Sequence, residues 1–366
     1  MLKSRMFGLD ESNLEAVVHT YDLKDYYYPT LFPLKQTGSL DWKMVEAQAG
    51  LKIAADIVSR GATIPKKTRE ALSRIQGDIP KIAISRDKDE EELTEYELLV
   101  LRSTQNPDLK ELVDFWAEDT KYCWDAVANR VEWVALRQIS LGRVKFTSSN
   151  NAAIATEYDV DYSIPQGQKI GVATSYSSGT SGKPLSVDIP NALKIGKSIG
   201  AKYKFMFMNP DTFVKFASQE EVIKKCATLI ENMTGAADAP DLKTVNSYFA
   251  KNNERYKGLQ IIVIDQDITI EVGGDRTTSN PFEDDVILFS ESKVLGKTYW
   301  KRPIEAQKIP GSVAEKVMHG HTLIKKYSTE SPVTEVTEGI SNVFPAWNLA
   351  GRSVLMQVSA TAWNKN

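Results

Sequence analysis

The chain has 366 residues, 42% of them hydrophobic and 25% charged, with 45 basic against 48 acidic side chains. That much apolar material excludes a wholly disordered chain, and at roughly 150 residues per domain the length predicts two to three domains. A net charge of −3 excludes a nucleic-acid binder that works through global positive charge. No apolar run approaches the ~20 residues that span a bilayer. The opening stretch, with Asp10, Glu11 and Glu15 close behind Met1, lacks the apolar core of a signal peptide. Cys123 and Cys226 stand too far apart in sequence to read as a metal or redox pair. A soluble, reducing compartment is expected, with no membrane, no metal and no cofactor.

The first element is an aromatic arm. Tyr26, Tyr27 and Tyr28 precede Pro29, and Phe32 precedes Pro33, so prolines interrupt any long helix. The reading is an extended segment whose rings pack on another surface, of this subunit or of a neighbour. A long hairpin follows, with strands over residues 52–59 and 79–86, Pro80 falling at an edge or at the start of the second. Its connector carries Arg60, Lys66, Lys67, Arg69 and Arg74 against Glu70 and Asp78, a local charge of +3. The next stretch, Arg86 to Glu97, holds seven acids, Glu90, Glu91 and Glu92 among them, against two bases, a local charge of −5. Such runs are ordinarily solvated faces. The sharper reading is that the basic tip of one subunit reaches the acidic segment of another.

The strongest local signal is a long helix. Asn106, Pro107 and Asp108 form a start signal. Leu109, Leu112, Val113, Trp116, Thr120, Cys123, Val127, Val131 and Val134 then recur at helical spacing, and Gly142 is a stop. Strands are predicted over 143–147 and 157–164, then a Ser/Gly-rich loop over 171–184. Helices are predicted over 191–200, 219–233 and 243–256, and strands over 258–265, 267–272 and 286–289. A Gly273-Gly274 turn falls between, and a last strand covers 352–360. Residues 191–312 read as a compact α/β subdomain.

Few candidates for chemistry stand out. Tyr176 to Pro184 (YSSGTSGKP) is similar to the phosphate loop of acyl-adenylate-forming enzymes, where glycines and hydroxyls wrap phosphate and a lysine adds charge. Leu185 replaces the basic residue of that pattern, the companion motifs are missing, and Pro184 excludes a Walker loop. His319 and His321 offer two imidazoles without a third ligand at a recognisable spacing. Cys123 reads as a small core residue, and Asp265, Asp267, Asp284 and Asp285 as turn formers. No catalytic constellation emerges, so no enzyme is expected.

The order of elements carries more than any motif. Val134-Ala135-Leu136 to Gly142-Arg143-Val144 ends the helix, and the strand Tyr158 to Tyr162 follows. Further on come Ile261 to Ile264, Asn280-Pro281 to Leu288, Val294-Leu295-Gly296 and Asn342 to Val358. In this order the chain resembles the tailed-phage major capsid proteins, specifically the lambda-type major capsid protein E family, with the α+β Hong Kong-type shell fold shared with herpesvirus capsids and encapsulins. The resemblance implies an N-terminal arm (1–38), an extended hairpin loop (39–95), a peripheral domain with a spine helix (96–190), an axial α/β domain (191–312), and a return to the peripheral domain with a C-terminal strand (313–366). It implies a structural subunit that builds an icosahedral head shell of hexamers and pentamers around double-stranded DNA. Portal, scaffolding and decoration proteins would be its partners, and packaged DNA would be contacted without sequence preference. It would reside in the virion capsid after assembly in the bacterial cytoplasm. Contacts between subunits are expected at Tyr26, Tyr27 and Phe32 of the arm and at the two charge runs. Alternatives are an encapsulin-type compartment shell and, from the Gly179–Lys183 loop, an adenylate-forming enzyme.

Overall fold

A computed structural model describes residues 11–46, 73–105, 109–151, 158–227, 238–256, 258–308, 310–311 and 313–365. In chain order the helices are α1 (Glu11–Val18), α2 (Tyr28–Leu31), α3 (Glu90–Gln105), α4 (Leu109–Leu141), α5 (Ile189–Ser198), α6 (Pro210–Ala217), α7 (Glu220–Ala227), α8 (Leu242–Lys251) and α9 (Asn253–Tyr256). The first strands are β1 (Leu34–Gln36), β2 (Asp41–Glu46), β3 (Ser73–Asp78), β4 (Lys81–Lys88), β5 (Arg143–Lys145), β6 (Asp159–Asp161), β7 (Lys169–Gly171) and β8 (Phe205–Met208). They continue as β9 (Gln260–Val263), β10 (Ile268–Val272), β11 (Asp275–Ser279), β12 (Val286–Ser290), β13 (Gly296–Lys301), β14 (Glu315–His319), β15 (Thr322–Glu330), β16 (Val333–Trp347) and β17 (Val354–Gln357).

The chain forms two compact units. Unit 1 comprises residues 1–42, 77–132 and 297–346, and unit 2 comprises 43–76, 133–296 and 347–366. The spine helix α4 runs for 33 residues, about 50 Å at 1.5 Å per residue. Its predicted stop holds: Gly142 adopts φ +74°, its N–H donates to Gln138 O at 2.8 Å, and a Cβ there would meet Ile164 Cδ1 at 2.8 Å. Thr120, Cys123, Val127, Val131 and Val134 are all buried, as the spacing predicts. The side chains of Leu109, Leu112, Val113 and Trp116, and the whole of 106–108, lie outside the described residues.

Unit 1 is built on a sheet ordered β1-β13-β16-β15-β14, with β4 also pairing with β16. Pro80 sits directly before β4, where a missing N–H costs the ladder nothing. Trp42 stacks on Phe344 with ring centroids 5.1 Å apart, and a Cβ on Gly77 would meet the Trp42 ring at 3.0 Å. The predicted strand over 52–59 lies outside the described residues.

Unit 2 holds a second sheet ordered β7-β17-β12-β8-β9. Every residue of central β12 (VILFS) is buried, which is why that stretch reads as a continuous apolar run. Helices α5 to α9 supply Ile189, Phe216, Val222, Phe249 and Tyr256 to the same core as Met206, Ile261 and Met356. The last predicted strand is present as β17, which lies between β7, parallel to it, and β12, antiparallel to it, in the sheet of unit 2. Val354, Leu355 and Met356 are fully buried there, so the apolar run is absorbed by the α/β core.

Candidate functional site

The arm is bound into unit 1 of its own chain. Phe32 is fully buried, its carbonyl accepts from Thr298 Oγ1 at 2.8 Å, and β1 continues as a parallel partner of β13. Phe32 is therefore a core residue and not a contact for a neighbour, which corrects the expectation from sequence. Tyr28 and Leu31 are buried beside it, while Tyr26 and Tyr27 are only partly covered. The anchor is Glu132 of α4, fully buried. Tyr27 N–H donates to its Oε1 at 2.9 Å and Tyr28 N–H to its Oε2 at 2.7 Å, so a carboxylate satisfies two free amides at the start of α2.

Tyr28 also reaches His321, its hydroxyl lying 2.7 Å from Nε2. Ser341 Oγ donates its one proton to His321 O at 2.7 Å. Its oxygen, 3.1 Å from Nδ1, therefore accepts from an Nδ1–H, and Tyr28 donates to a bare Nε2. Burial raises the Glu132 carboxyl from 4.5 to about 7 and lowers the His321 imidazole from 6.5 to about 4.

These two shifts act on stability with opposite sign. The folded state holds the Glu132 proton more tightly, so that contribution is full below pH 4.5 and is lost as the pH rises towards 7. The contribution of His321 is full above 6.5 and is lost as the pH falls towards 4. Between these limits the slopes offset each other. Glu132→Gln removes one of them, so the variant should lose stability on acidification from pH 6.5 to 4.5 where the wild type stays nearly flat. The slope approaches about 1.4 kcal/mol per pH unit, measured as denaturant midpoints at several pH values. A variant as flat as the wild type would refute the coupling.

The acidic run contains the start of helix α3. Asp89 Oδ1 accepts from the N–H groups of Glu91 and Glu92, both at 3.0 Å, and Glu92 Oε2 accepts from Asp89 N–H at 3.1 Å. This is a capping box, and the D-x-x-E spacing ahead of Leu93 was its available signal. Glu90 and Glu91 remain exposed, and acids in a first turn complement the helix dipole. Arg60, Lys66, Lys67 and Arg69 lie outside the described residues, as does the side chain of Arg74 on β3.

Sequence reasoning missed a set of buried charges between α4 and the sheet. Lys88 and Asp119 are almost fully buried, with Lys88 Nζ 2.9 Å from Asp119 Oδ2, and Arg86 Nε lies 3.1 Å from Oδ1. Lys88 Nζ also sits over the Phe115 ring at 4.2 Å. In register, Glu335 of β16 pairs with Lys88 of β4 on one side and Ser328 of β15 on the other, and its carboxylate accepts from the Ser328 hydroxyl. Lys326 is fully buried nearby, and burial lowers its ammonium to about 8 against the pull of Glu335 and Asp119. Removing one member of such a buried set leaves an uncompensated charge, which costs far more than the intact set adds in net stability.

The Ser/Gly loop is already occupied by its own chain. Gly182 N–H donates to Gln219 Oε1 at 2.8 Å, and Gln219 Nε2 donates to the carbonyls of Gly179 and Lys215 at 3.1 and 2.9 Å. The N–H groups of Leu185 and Ser186 donate to Glu221 Oε2 at 2.9 and 3.1 Å. Amides that a phosphate would need face a side-chain amide and a carboxylate, and the latter repels an anion. Lys183 is exposed. Isothermal titration should show no saturable ATP binding to the wild type; binding abolished by Lys183→Ala would overturn this reading of the loop.

The remaining candidates are also structural. Cys123 is buried with Sγ 3.4 Å from Thr337 O, and burial raises its thiol to about 12, the opposite of an activated nucleophile. Asp284 accepts from Asn209 Nδ2 at 2.5 Å and Asp285 pairs with Lys215 at 2.7 Å. No group of three or more metal-ligating side chains occurs among the described residues. Unit 2 has a cleft of about 690 Å³ whose floor is one face of α4, Trp133, Arg137 and Leu141, with β5 and β11 as walls. Its Arg137 and Arg143 are paired with Glu283 and Asp159, so it presents no uncompensated charge from these two.

No protein-family model and no curated protein matches the sequence. Solved structures do. The protein described as the capsid protein of a prophage of Escherichia coli CFT073 matches with a TM-score of 0.56 at 13% identity, over 96% of this chain and 99% of the other. A phage-related protein of Bordetella bronchiseptica RB50 matches with a TM-score of 0.54 at 12% identity, over 94% of this chain and 96% of its own. The chain therefore has the fold of that prophage capsid protein from near one end to the other.

Proposed function

We propose that the chain is a major capsid protein, the subunit of an icosahedral head shell of a tailed bacteriophage enclosing double-stranded DNA. The observation that carries the reading is the end-to-end likeness to the prophage capsid protein, 96% of this chain against 99% of that one. The structure's chemistry supports it. The nucleotide-like loop is filled by Gln219 and Glu221, and the buried thiol of Cys123 is deactivated. The role is structural and not enzymatic. Among the described residues no helix is long and apolar enough to cross a membrane.

The partners follow from that role: copies of itself in hexamers and pentamers, a portal, scaffolding and decoration proteins, and packaged DNA touched without sequence preference. Its place is the virion capsid, with assembly in the host cytoplasm. Negative-stain microscopy of the purified, expressed chain tests the reading. Uniform icosahedral particles are expected; a protein that stays monomeric at high concentration, with and without a scaffolding partner, would overturn it. A gene neighbourhood with portal and terminase supports a phage shell, whereas a cargo enzyme in their place would point to a compartment shell.

A further inference from the structure

The buried charges of unit 1 bring an amine and a carboxyl group together away from water. Lys88 of β4 and Asp119 of α4 are 2% and 1% exposed, and Lys88 Nζ lies 2.9 Å from Asp119 Oδ2, beside the carboxyl carbon that carries that oxygen. The Phe115 ring covers the amine at 4.2 Å. Glu335 of β16 stands directly opposite Lys88 in the β4–β16 register, so the two side chains share one face of the sheet. We propose that Lys88 and Asp119 condense to an isopeptide bond within the chain, Nζ to Cγ, with Glu335 carrying the proton between them.

Each neighbour has a part in the step. Transfer of one proton from Lys88 Nζ to Asp119 Oδ2 turns two buried ions into a neutral amine and acid. The Nζ lone pair then adds to Cγ, and the charge that develops falls on Oδ1. Arg86 Nε, 3.1 Å from Oδ1, is placed to stabilise it. Glu335, whose carboxylate is oriented by the Ser328 hydroxyl, takes a second proton from Nζ and delivers it to Oδ2. The Cγ–Oδ2 bond breaks and one water leaves. One C–N bond forms, one C–O bond is lost, and no oxidant or further reactant is needed.

Two physical arguments favour condensation here over the ion pair. Groups held in contact react at effective concentrations on the order of 10⁵–10⁸ M, and an amide removes two charges that burial penalises. The charges left behind remain matched. Lys326 and Glu335 attract each other, and Arg86 retains Glu118 at 3.4 Å. The product fastens β4 covalently to the spine helix.

The electrospray mass of the denatured, full-length chain, taken after several days of storage as folded protein, tests this. It should fall short of the sequence mass, allowing for loss of Met1, by one water. Trypsin should then release residues 87–102 joined to 111–121, uncut after Lys88. Lys88→Arg keeps the positive charge but removes the primary amine, and Glu335→Gln keeps the shape but removes the proton carrier. Both should retain the full mass over the same storage, with circular dichroism showing that they fold. A wild-type chain at its full mass overturns the proposal. So does a deficit that survives Lys88→Arg, as a cyclised aspartate elsewhere would give, or a bridge that maps to Lys326. A bridge formed as fast in Glu335→Gln as in the wild type overturns the role of Glu335. None of these readouts involves particles, so the result stands apart from the capsid reading.

Discussion

Truncating Phe32 to alanine is expected to destabilise the unassembled subunit by about 3–5 kcal/mol, the range for deleting a large aromatic side chain from a packed core. Sequence alone points the other way, to an arm whose loss would spare the subunit and harm only assembly. The structure places Tyr28, Leu31 and Phe32 at 0%, 1% and 0% exposure within their own unit. The backbone beyond is committed as well: Leu34, Lys35 and Gln36 lie in parallel register with Thr298, Tyr299 and Trp300. Deleting residues 1–38 would remove that strand and strip two amides from buried Glu132. No cooperative unfolding of unit 1 should then remain. Tyr26→Ala, at a half-buried ring, serves as the control and should cost far less. Equilibrium denaturation followed by circular dichroism decides between the two pictures. A Phe32→Ala subunit as stable as the wild type would restore the arm as a neighbour-binding element.

The contrast shows what a sequence of this kind reveals. The spine helix was legible because apolar residues recur at helical spacing from Leu109 to Val134 and the helix stops at a glycine that takes a positive φ. Strand β12 was legible because burial on both faces writes a continuous apolar run, whereas β9, equally apolar in sequence, is an edge strand with only Ile261 fully buried. Helix α3 was not read, although Asp89 and Glu92 stand at capping-box spacing, because seven acids among the twelve residues 86–97 look like a solvated face. The β14–β16 strands were lost for a related reason. Lys326, Ser328, Glu335 and Thr337 alternate like surface residues, yet each is fully buried. Their burial is possible only because Lys88 of β4 and Asp119 of α4 arrive from two other elements to answer them, and the charge balance of a buried site is a property of the fold and not of any one segment. The arm failed in the opposite sense: aromatic residues broken by prolines do not say which surface will receive them.

The basic run from Arg60 to Arg74 gives the second large effect. Replacing Lys66, Lys67 and Arg69 together with glutamate is expected to abolish particle formation and leave the subunit folded. The connector's local charge of +3 suits the −5 of residues 86–97, and the structure now says which of those acids are available. Glu92 is committed to its capping box, whereas Glu90, Glu91, Glu95 and Glu97 are exposed on α3. Exposed pairs are worth only ~0–1 kcal/mol each, so any single substitution should matter little. Three reversals turn each attraction into repulsion, and in the proposed shell the change recurs at every interface. Salt should weaken wild-type assembly in the same way, since screening shortens from about 10 Å at 0.1 M to 3 Å at 1 M. The reciprocal change belongs at Glu95 and Glu97, beyond the first turn of α3, because lysines within that turn would oppose the helix dipole. Glu95→Lys with Glu97→Lys in the triple-reversal background should restore particles that neither set forms alone. Particle yield by size-exclusion chromatography, beside circular dichroism of the free subunit, reads the outcome. Normal yield from the triple reversal at low and high salt alike would show that both charge runs are faces turned to water.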